Sequence, residues 1–384
     1  MQFHVSAPGK MMLSGEWSVL KQGNSCIVAA VNRRVHALVE SWPEAGAESF
    51  INPKLLIEVD DFKIKDKVAE FDGSVLNIKD FPEADLDKIK FIKKAIEVTF
   101  LYLIQKKIPI KNFKLRTWGE DTNIEIDGKL QKVGFGSSAA ATVAVIGTIL
   151  EYHGINAAKS KESIFKLSAI AHYLTQGKLG SCFDIAASTY GGVFHYIAPD
   201  LKWVSERATP DKIYSLIDSK WPMFHADPLA ITDDFQLVVG WTKTSASTTN
   251  MIKQLNEWKE KCMPIYDGII EEIDEIVGSL ISAWKTKDRD KIMVLLKKNE
   301  EKLRELTRAS SVPIETEDLK KLSDIANSMG AAGKLSGAGG GDCGIAVCFD
   351  EDIADNIKDA WEEVGIYPLD VTVDKEGVKI ERKG

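Results

Sequence analysis

The sequence predicts a two-domain protein that mixes α-helices with β-strands. Three observations support this fold class. The chain of 384 residues is longer than one ordinary hydrophobic core requires. Stretches with strand-like and helix-like apolar spacing follow one another along the chain. Residues 198–234 contain four prolines and little periodicity. We therefore place a domain boundary there and divide the chain into 1–205 and 206–384.

The first domain is predicted to contain a sheet and several helices. Ser6-Ala-Pro-Gly-Lys10 ends a short strand, 26–39 is rich in β-branched residues, and the charged stretch 41–90 carries short β-like runs typical of an elaborated sheet edge. Further along, apolar residues recur at helical spacing. The remaining predicted elements are helices over 88–107, 139–152 and 164–174, a strand over 113–118, and a turn followed by a strand over 190–197.

The second domain is predicted to begin with a strand over 236–242 and continue with the charged helical stretch 251–306. One apolar stripe in that stretch is interpreted as core; it comprises Ile269, Ile273, Ile276, Leu280 and Trp284. A helix over 319–328 follows. The chain then closes as a β-α-β unit over 345–349, 353–364 and 371–380.

Composition excludes several classes of protein. The net charge of −8 argues against nucleic acid and anionic membrane as partners. No apolar run is long enough to span a bilayer, and the N-terminus does not resemble a signal peptide, so we expect a cytoplasmic protein. The five cysteines and six histidines lack zinc-site spacing. We interpret Cys182 and Cys343 as small packed residues.

A glycine cluster is the most informative feature of the chain. Five glycines lie within the eight residues 337–344 and lead into a predicted strand. Such clusters occur where the backbone takes positive φ or is approached closely, and their N–H groups can hold anions. Two upstream segments are similar in character, Ser6–Lys10 and Gly134–Ala140. Together the three segments indicate phosphate chemistry.

Gly134-Phe-Gly-Ser-Ser-Ala-Ala140 opens a predicted helix, whose N-terminal N–H groups and dipole suit a phosphate. A Gly-Ser helix start is often only an N-cap. The segment matches neither the Walker pattern nor a dinucleotide-binding GxGxxG, so an ATP-using enzyme with this loop belongs to another class. Two further candidate site residues are Lys10 and Asp184. The alternative interpretation is that Lys10 is an ordinary surface lysine and that Asp184 only caps a helix.

In this order and spacing the three segments resemble the GHMP kinases. Pro8–Lys10, Gly136–Ala140 and Ser336–Gly341 are similar to the first, second and third motifs of that superfamily. The resemblance covers nearly the whole chain. It implies an N-terminal α/β domain with a left-handed β-α-β crossover, a C-terminal ferredoxin-like domain, and an active site between the two.

Within the superfamily, four segments are most similar to the phosphomevalonate kinases: 132–138, 176–187, 240–248 and 336–346. The resemblance implies transfer of the γ-phosphoryl group of ATP, with Mg²⁺, to (R)-5-phosphomevalonate. The products would be (R)-5-diphosphomevalonate and ADP, in the mevalonate pathway of isoprenoid synthesis. The alternatives are a mevalonate kinase, a diphosphomevalonate decarboxylase, or a catalytically inactive binding or sensor protein.

The resemblance also assigns roles to single residues. It implies that Lys10 and Asp184 are catalytic and that Ser138 is a Mg²⁺ ligand. The implied ATP-binding residues are Gly134, Phe135, Gly136, Ser137, Ser138, Ala139 and Ala140. The implied substrate-binding residues are Lys178, Gly180, Ser181, Lys243, Ser245, Gly337, Ala338, Gly339 and Gly340.

Two departures shape these expectations. Mevalonate kinases carry a metal-binding glutamate on the helix before the aspartate, whereas residues 171–177 here contain no carboxylate. In addition, a phosphate acceptor has a second pKa of about 6 and is already a dianion at neutral pH. We therefore expect Asp184 to orient Lys10 or metal, and Lys10, Lys178 and Lys243 to offset the charge of two polyanions.

Overall fold

The computed structural model describes residues 2–46, 49–50, 52–120, 123–126, 129–177, 180–244 and 248–381. The first part of the chain forms ten strands and seven helices in this described set. They are β1 (Gln2–Ser14), β2 (Ser25–Ser41), β3 (Lys54–Val59), β4 (Ile64–Phe71), β5 (Leu76–Ile78), α1 (Glu83–Lys88), α2 (Lys90–Gln105), β6 (Phe113–Gly119), β7 (Asn123–Ile126), β8 (Lys129–Lys132), α3 (Ser137–Tyr152), α4 (Lys161–Gln176), α5 (Phe183–Tyr190), β9 (Val193–Ile197), α6 (Leu201–Ser205), α7 (Ile213–Asp218) and β10 (His225–Leu229).

The second part of the chain adds five strands and five helices to those already described. They are β11 (Gln236–Trp241), α8 (Thr248–Lys261), α9 (Met263–Thr286), α10 (Arg289–Ser310), α11 (Glu317–Ser328), β12 (Ala332–Leu335), β13 (Cys343–Cys348), α12 (Glu351–Glu363), β14 (Tyr367–Leu369) and β15 (Lys379–Ile380). Within the described residues, none of the helices is long and apolar enough to cross a membrane.

A nine-stranded mixed sheet organises the N-terminal half. Its main order is β10-β9-β2-β6-β3-β4-β5, and β1 pairs with β2 and β15. The pairing of β3 with β6 is parallel, and the other described ladders of this sheet are antiparallel. The predicted sheet edge over 41–90 is confirmed, because β3, β4 and β5 extend the sheet beyond β6.

The C-terminal half has the element order β-α-β-β-α-β. Its antiparallel sheet has the order β12-β13-β11-β14, in which the first strand lies between the third and the fourth. This is the split β-α-β arrangement of ferredoxin-like domains. The predicted two-domain α+β fold is therefore confirmed.

Strand β1 connects the two halves because its side chains alternate between two cores. Met12 packs with the helices of the first domain, whereas Met11 and Leu13 pack with residues of the C-terminal sheet such as Val239 and Ile345. Successive residues of a strand point to opposite faces, so one strand can serve both cores. Lys10 thereby lies at the seam between the domains.

Two local predictions were wrong. The strand at Ser6–Lys10 does not end at Lys10 but continues to Ser14, with a register shift between Pro8 and Gly9. In addition, Phe183–Tyr190 forms the helix α5, to which the sequence analysis gave no bounds. This helix has eight residues, too few to show a clear helical period, and it packs against β1 and α3.

The second wrong prediction concerns the last strand of the β-α-β unit. The edge position beside β11 is taken by Tyr367–Leu369, and the following chain returns to the large sheet, where β15 pairs with β1. The buried Arg34 side chain donates hydrogen bonds to the Gly377 carbonyl at 2.7 Å and to Asp374. A buried guanidinium requires such acceptors, so it holds the returning segment on the first domain.

The division at residues 205 and 206 stays a prediction. Two elements beyond it, β10 and β15, lie in the nine-stranded sheet of the first domain.

Candidate active site

Lys10 lies midway along β1 and contacts the glycine loop before α3. Its Nζ donates a hydrogen bond to the Gly134 carbonyl at 2.8 Å, and its backbone N–H donates to the Phe135 carbonyl, also at 2.8 Å. The Phe135 side chain is buried in the core between the domains. The first and second predicted motifs are therefore in direct contact.

Gly136 brings the lysine and the aspartate together. It forms the N-cap of α3 with φ +79°, a conformation that glycine adopts without strain. A Cβ at this position would lie 3.3 Å from Lys10 Cγ and 3.8 Å from Asp184 Cβ. Lys10 and Asp184 thus both lie beside Gly136.

The start of α3 can receive an anion. A glycine N-cap has no side-chain oxygen to accept from the first helical turn, so this end keeps its donor groups and partial positive charge. Ser137 and Ser138 are half-buried there, whereas the Ala139 and Ala140 side chains are fully buried. The N–H groups of both alanines already donate to the Gly136 carbonyl, at 3.0 and 3.2 Å.

Asp184 is the second residue of α5. Its Oδ1 accepts the N–H of Ile185 at 2.9 Å, and α5 itself starts after Cys182, which has φ +60°. This strained start is typical of functional sites and directs the first turn of α5 toward the α3 loop.

His172 on α4 is a neighbour of Asp184 that the sequence analysis did not identify. Burial lowers the pKa of His172, while the charge of Asp184 and a hydrogen bond to the Ser138 backbone oppose this shift. Within the described part of the chain its buried Nε2 has no hydrogen-bond partner. His172 belongs to no recognisable motif, so the sequence does not indicate that it lies near Asp184. The packing of α4 against α3 and α5 brings the two residues together.

The third glycine loop is attached to both β1 and the segment before α11. Ser336 Oγ accepts from the Met12 N–H and donates to the Met12 carbonyl, both at 2.9 Å. The Gly340 N–H donates to the Ile314 carbonyl at 2.8 Å. Gly339 has φ +75°, and a Cβ there would lie 2.0 Å from the same carbonyl oxygen. The loop tip therefore requires glycine.

A cleft of about 240 Å³ opens between Lys10 and the third loop. Most of the lining is apolar, and its charged members are Lys10 and Glu16. The lining residues are Lys10, Met12, Glu16, Trp17, Val19, Leu20, Phe183, Thr248, Ile252, Gly337 and Ala338. Two of the predicted substrate-binding residues, Gly337 and Ala338, thus share one cleft with Lys10.

A buried ion pair lies next to the cleft, because one of its members, Glu16, lines the cleft. Lys334 Nζ donates to Glu16 Oε1 and, at 2.5 Å, to the Leu335 carbonyl, and both charged side chains are fully buried. Glu300 Oε2 accepts the Leu335 N–H at 3.1 Å. Burial raises the pKa of Glu16, against the opposing charge of Lys334. The cluster connects the segment just after β1 to β12, the strand that leads into the third loop.

Glu300 gives this protein a pH-dependent stability. Burial, reinforced by Glu315 and opposed by Lys334, raises the pKa of Glu300 from 4.5 to about 8. Between these two values the folded state keeps a proton that the unfolded state releases. The free energy of unfolding therefore falls as pH rises, by up to about 1.4 kcal/mol per pH unit, and this contribution levels off above the folded pKa.

Replacing Glu300 by glutamine is expected to flatten this slope. The amide keeps an oxygen to accept from Leu335 and adds no buried charge. Thermal unfolding of both proteins from about pH 5.5 to about pH 7.5 measures the difference. Parallel melting curves for the two proteins across that range would show that Glu300 is not the titrating group.

Lys178 and Ser245, two other predicted substrate-binding residues, are outside the described residues. Lys243 is exposed on the loop after β11, and Gly180 is exposed before α5. Ser181 is buried, and its carbonyl accepts the Tyr196 hydroxyl at 2.6 Å.

The two cysteines of the glycine motifs are packed residues rather than nucleophiles. Cys182 and Cys343 are buried. Burial raises the pKa of each thiol, and the carboxylates of Asp184 and Asp342 respectively raise it further. Since the thiolate is the reactive form, neither thiol is activated.

Ser138 stays the predicted Mg²⁺ ligand. In the part of the chain that the structure describes, no three His, Cys, Asp or Glu side chains cluster to hold a metal. Mg²⁺ usually takes one or two protein oxygens and completes its shell with phosphate and water. The Ser138 hydroxyl, on the first turn of α3, and the Asp184 carboxylate, beside Gly136, are oxygen ligands of the kind that this requirement describes.

Comparison with known families agrees with this geometry. The family model described as GHMP kinases N terminal domain matches residues 90–192, and the model described as GHMP kinases C terminal matches residues 280–366. These segments include the α3 loop and Asp184 in one case and the third glycine loop in the other. The chain belongs to the GHMP kinases.

Among curated relatives, a phosphomevalonate kinase of Streptomyces sp. (strain CL190) is 29% identical over 97% of both chains. A mevalonate kinase of Pyrococcus horikoshii is 28% identical over 98% of this chain and 97% of the relative. The similarity to both kinds of kinase extends over the full length. These identities alone do not discriminate between the two acceptors.

Two solved structures are similar over nearly their whole length. The Lin0012 protein from Listeria innocua has a TM-score of 0.85 and 32% identity, covering 100% of both chains. Streptococcus pneumoniae phosphomevalonate kinase in complex with phosphomevalonate and AMPPNP has a TM-score of 0.78 and 24% identity, covering 96% of this chain and 99% of that one. At 24% identity, the similarity to the Streptococcus pneumoniae structure shows a shared fold only.

Proposed function

We propose that this kinase transfers the γ-phosphoryl group of ATP to 5-phosphomevalonate, giving 5-diphosphomevalonate and ADP in the mevalonate pathway. The observation that carries the proposal is the convergence of Lys10, the Gly136 loop and Asp184 beside a cleft bordered by the third glycine loop. Full-length similarity to a phosphomevalonate kinase supports the choice of acceptor.

The nucleotide phosphates are placed at the start of α3 in this proposal. The helix dipole, the N–H groups of the first turn and the Ser137 and Ser138 hydroxyls stabilise their negative charge there. When bound, Mg²⁺ would neutralise part of that charge, and Ser138 with Asp184 would hold the ion.

The acceptor is placed in the cleft beside Lys10. Its apolar wall, formed by residues such as Met12, Trp17 and Phe183, suits the carbon skeleton of a small branched acid. The acceptor phosphate is mostly a dianion at neutral pH, so its oxygen attacks without losing a proton. Lys10 then stabilises charge on the transferring group, and Asp184 orients Lys10 or the metal.

The second candidate is phosphorylation of mevalonate, which the 28% identical mevalonate kinase favours. That acceptor is an alcohol and has to lose a proton, a step that phosphomevalonate does not need.

An assay of ADP release with mevalonate, phosphomevalonate and diphosphomevalonate, each supplied separately, tests the proposal. We expect kcat/KM for phosphomevalonate to exceed that for mevalonate by at least about 100-fold. The cations that bind the acceptor phosphate stay unpaired when mevalonate presents a neutral hydroxyl group in its place. Preference for mevalonate would overturn the proposed acceptor. ATP binding with no turnover of any acid would indicate an inactive binding protein.

A further inference from the structure

A carboxylate from the C-terminal domain lies against the glycine loop of the N-terminal domain. Asp342 Oδ1 accepts the N–H of Gly134 at 3.2 Å. A Cβ on Gly134 would lie only 1.7 Å from Asp342 Oδ2, so the contact is possible only because residue 134 is glycine. Neither the motif analysis nor the proposed chemistry assigns a role to this aspartate.

The backbone of Asp342 is held firmly. Its carbonyl accepts from the Thr242 N–H at 2.8 Å and from Thr242 Oγ1 at 3.1 Å. Its own N–H donates to the Thr244 carbonyl, and its φ is +61°. The residue is thereby attached to the end of β11, and its half-buried side chain reaches across the domain boundary from a fixed position.

Gly134 is consequently held on both sides. Asp342 binds its N–H, and the Lys10 ammonium binds its carbonyl at 2.8 Å. The peptide planes that flank a glycine rotate easily because no Cβ restricts them. Asp342 restricts rotation of the peptide plane between residues 133 and 134. The Val133 carbonyl of that plane accepts the Phe135 N–H at 2.8 Å. This N–H shares the next peptide plane with the Gly134 carbonyl that Lys10 contacts, so restricting the first plane also restricts the direction of that carbonyl.

We propose that Asp342 is a positioning residue, which holds Gly134 so that its carbonyl keeps the Lys10 ammonium directed at the transferring phosphoryl group. The inference rests on the proposed phosphoryl transfer but not on the identity of the acceptor. It also explains, in addition to phosphate binding, why residue 134 is a glycine. Lys10 is therefore placed correctly only when the C-terminal domain, which carries Asp342, packs against the N-terminal domain.

Two substitutions of Asp342 separate its hydrogen bond from its backbone conformation. Asp342→Gly removes the carboxylate and tolerates the positive φ, whereas Asp342→Asn keeps a side-chain oxygen that can accept from Gly134. Asp80→Gly is the matched control, because Asp80 is exposed and also has a positive φ, of 48°. The acceptor in all assays is whichever acid the wild-type enzyme phosphorylates.

Asp342→Gly is expected to lower kcat by about 10- to 100-fold with little change in KM for ATP, because a misdirected cation affects the transition state. Asp342→Asn is expected to recover to within about fivefold of wild type. Asp80→Gly is expected to match wild type. A wild-type kcat for Asp342→Gly, or an asparagine variant no better than the glycine variant, would overturn the inference.

A double variant distinguishes positioning of Lys10 from a general structural role. If Asp342 acts through Lys10, adding Asp342→Gly to Lys10→Met causes little further loss of kcat. Losses that multiply would show that the two residues act independently and would contradict the proposal. If Asp342→Gly does not fold, Asp342→Ser, whose hydroxyl ends short of Gly134, replaces it in both comparisons. Failure of the wild-type enzyme with every acid would instead refute the proposed function.

Discussion

Replacing Lys10 by methionine is expected to lower kcat by about 100- to 1,000-fold with a smaller effect on KM for either substrate. The reason is that a preorganised cation beside developing charge acts mainly in the transition state. Methionine keeps most of the length and apolar volume of the side chain while removing the ammonium that Gly134 binds. Steady-state kinetics with ATP and the preferred acid measure the loss.

Lys88→Met is the matched control for this experiment. Lys88 is a half-exposed lysine on the helix surface, paired with Asp85 at 2.7 Å, and lies outside the cleft. Its replacement is expected to leave kcat unchanged. A folded Lys10→Met enzyme within about threefold of wild-type kcat would mean that Lys10 does not stabilise the transferring group. Lys178 or Lys243 would then be the next residues to examine.

Replacing Lys334 by methionine is expected to lower the free energy of unfolding by about 3–5 kcal/mol. The substitution leaves the fully buried Glu16 carboxylate without its partner, and an uncompensated buried charge is costly. It also removes the positive charge that opposes the raised pKa of Glu300. Denaturant-induced unfolding at neutral pH measures the change.

A surface lysine provides the comparison for Lys334. Lys320 pairs with Asp324 on α11, and its side chain is 52% exposed. Lys320→Met is expected to cost less than about 1 kcal/mol. Adding Glu16→Gln to Lys334→Met is expected to restore part of the lost stability, because the unpaired charge is then gone. Equal effects of the two lysine substitutions would contradict the assigned role of the buried pair.

The sequence was sufficient to predict the two-domain fold and the place of the glycine loops. Glycine clusters are local signals, and the structure brings Lys10, Gly136 and Asp184 together from three separate segments. The helical and strand periods were also long enough to predict most of the central elements. The short helix α5 and the return of the chain after β14 gave no comparable local signal.

The supporting contacts could not be predicted because they join residues far apart in the sequence. Gly134 and Asp342 are separated by 208 positions, and Glu16 and Lys334 by 318. Glu16 lies six positions after Lys10 in the sequence, yet its partner is Lys334. His172 carries no motif at all. Such pairings depend on how β1 is shared by the two cores, which only the folded chain shows.

The most direct test of the central claim is phosphorus NMR of the product formed from ATP and phosphomevalonate. The claim is that one cradle of glycine loops, Lys10 and Asp184 joins two phosphorylated reactants. The predicted product spectrum contains two phosphorus resonances that are coupled to each other, as a new P–O–P bond requires, together with ADP. ADP accompanied only by inorganic phosphate, or a phosphorylated acid whose phosphorus atoms are not coupled, would contradict the account.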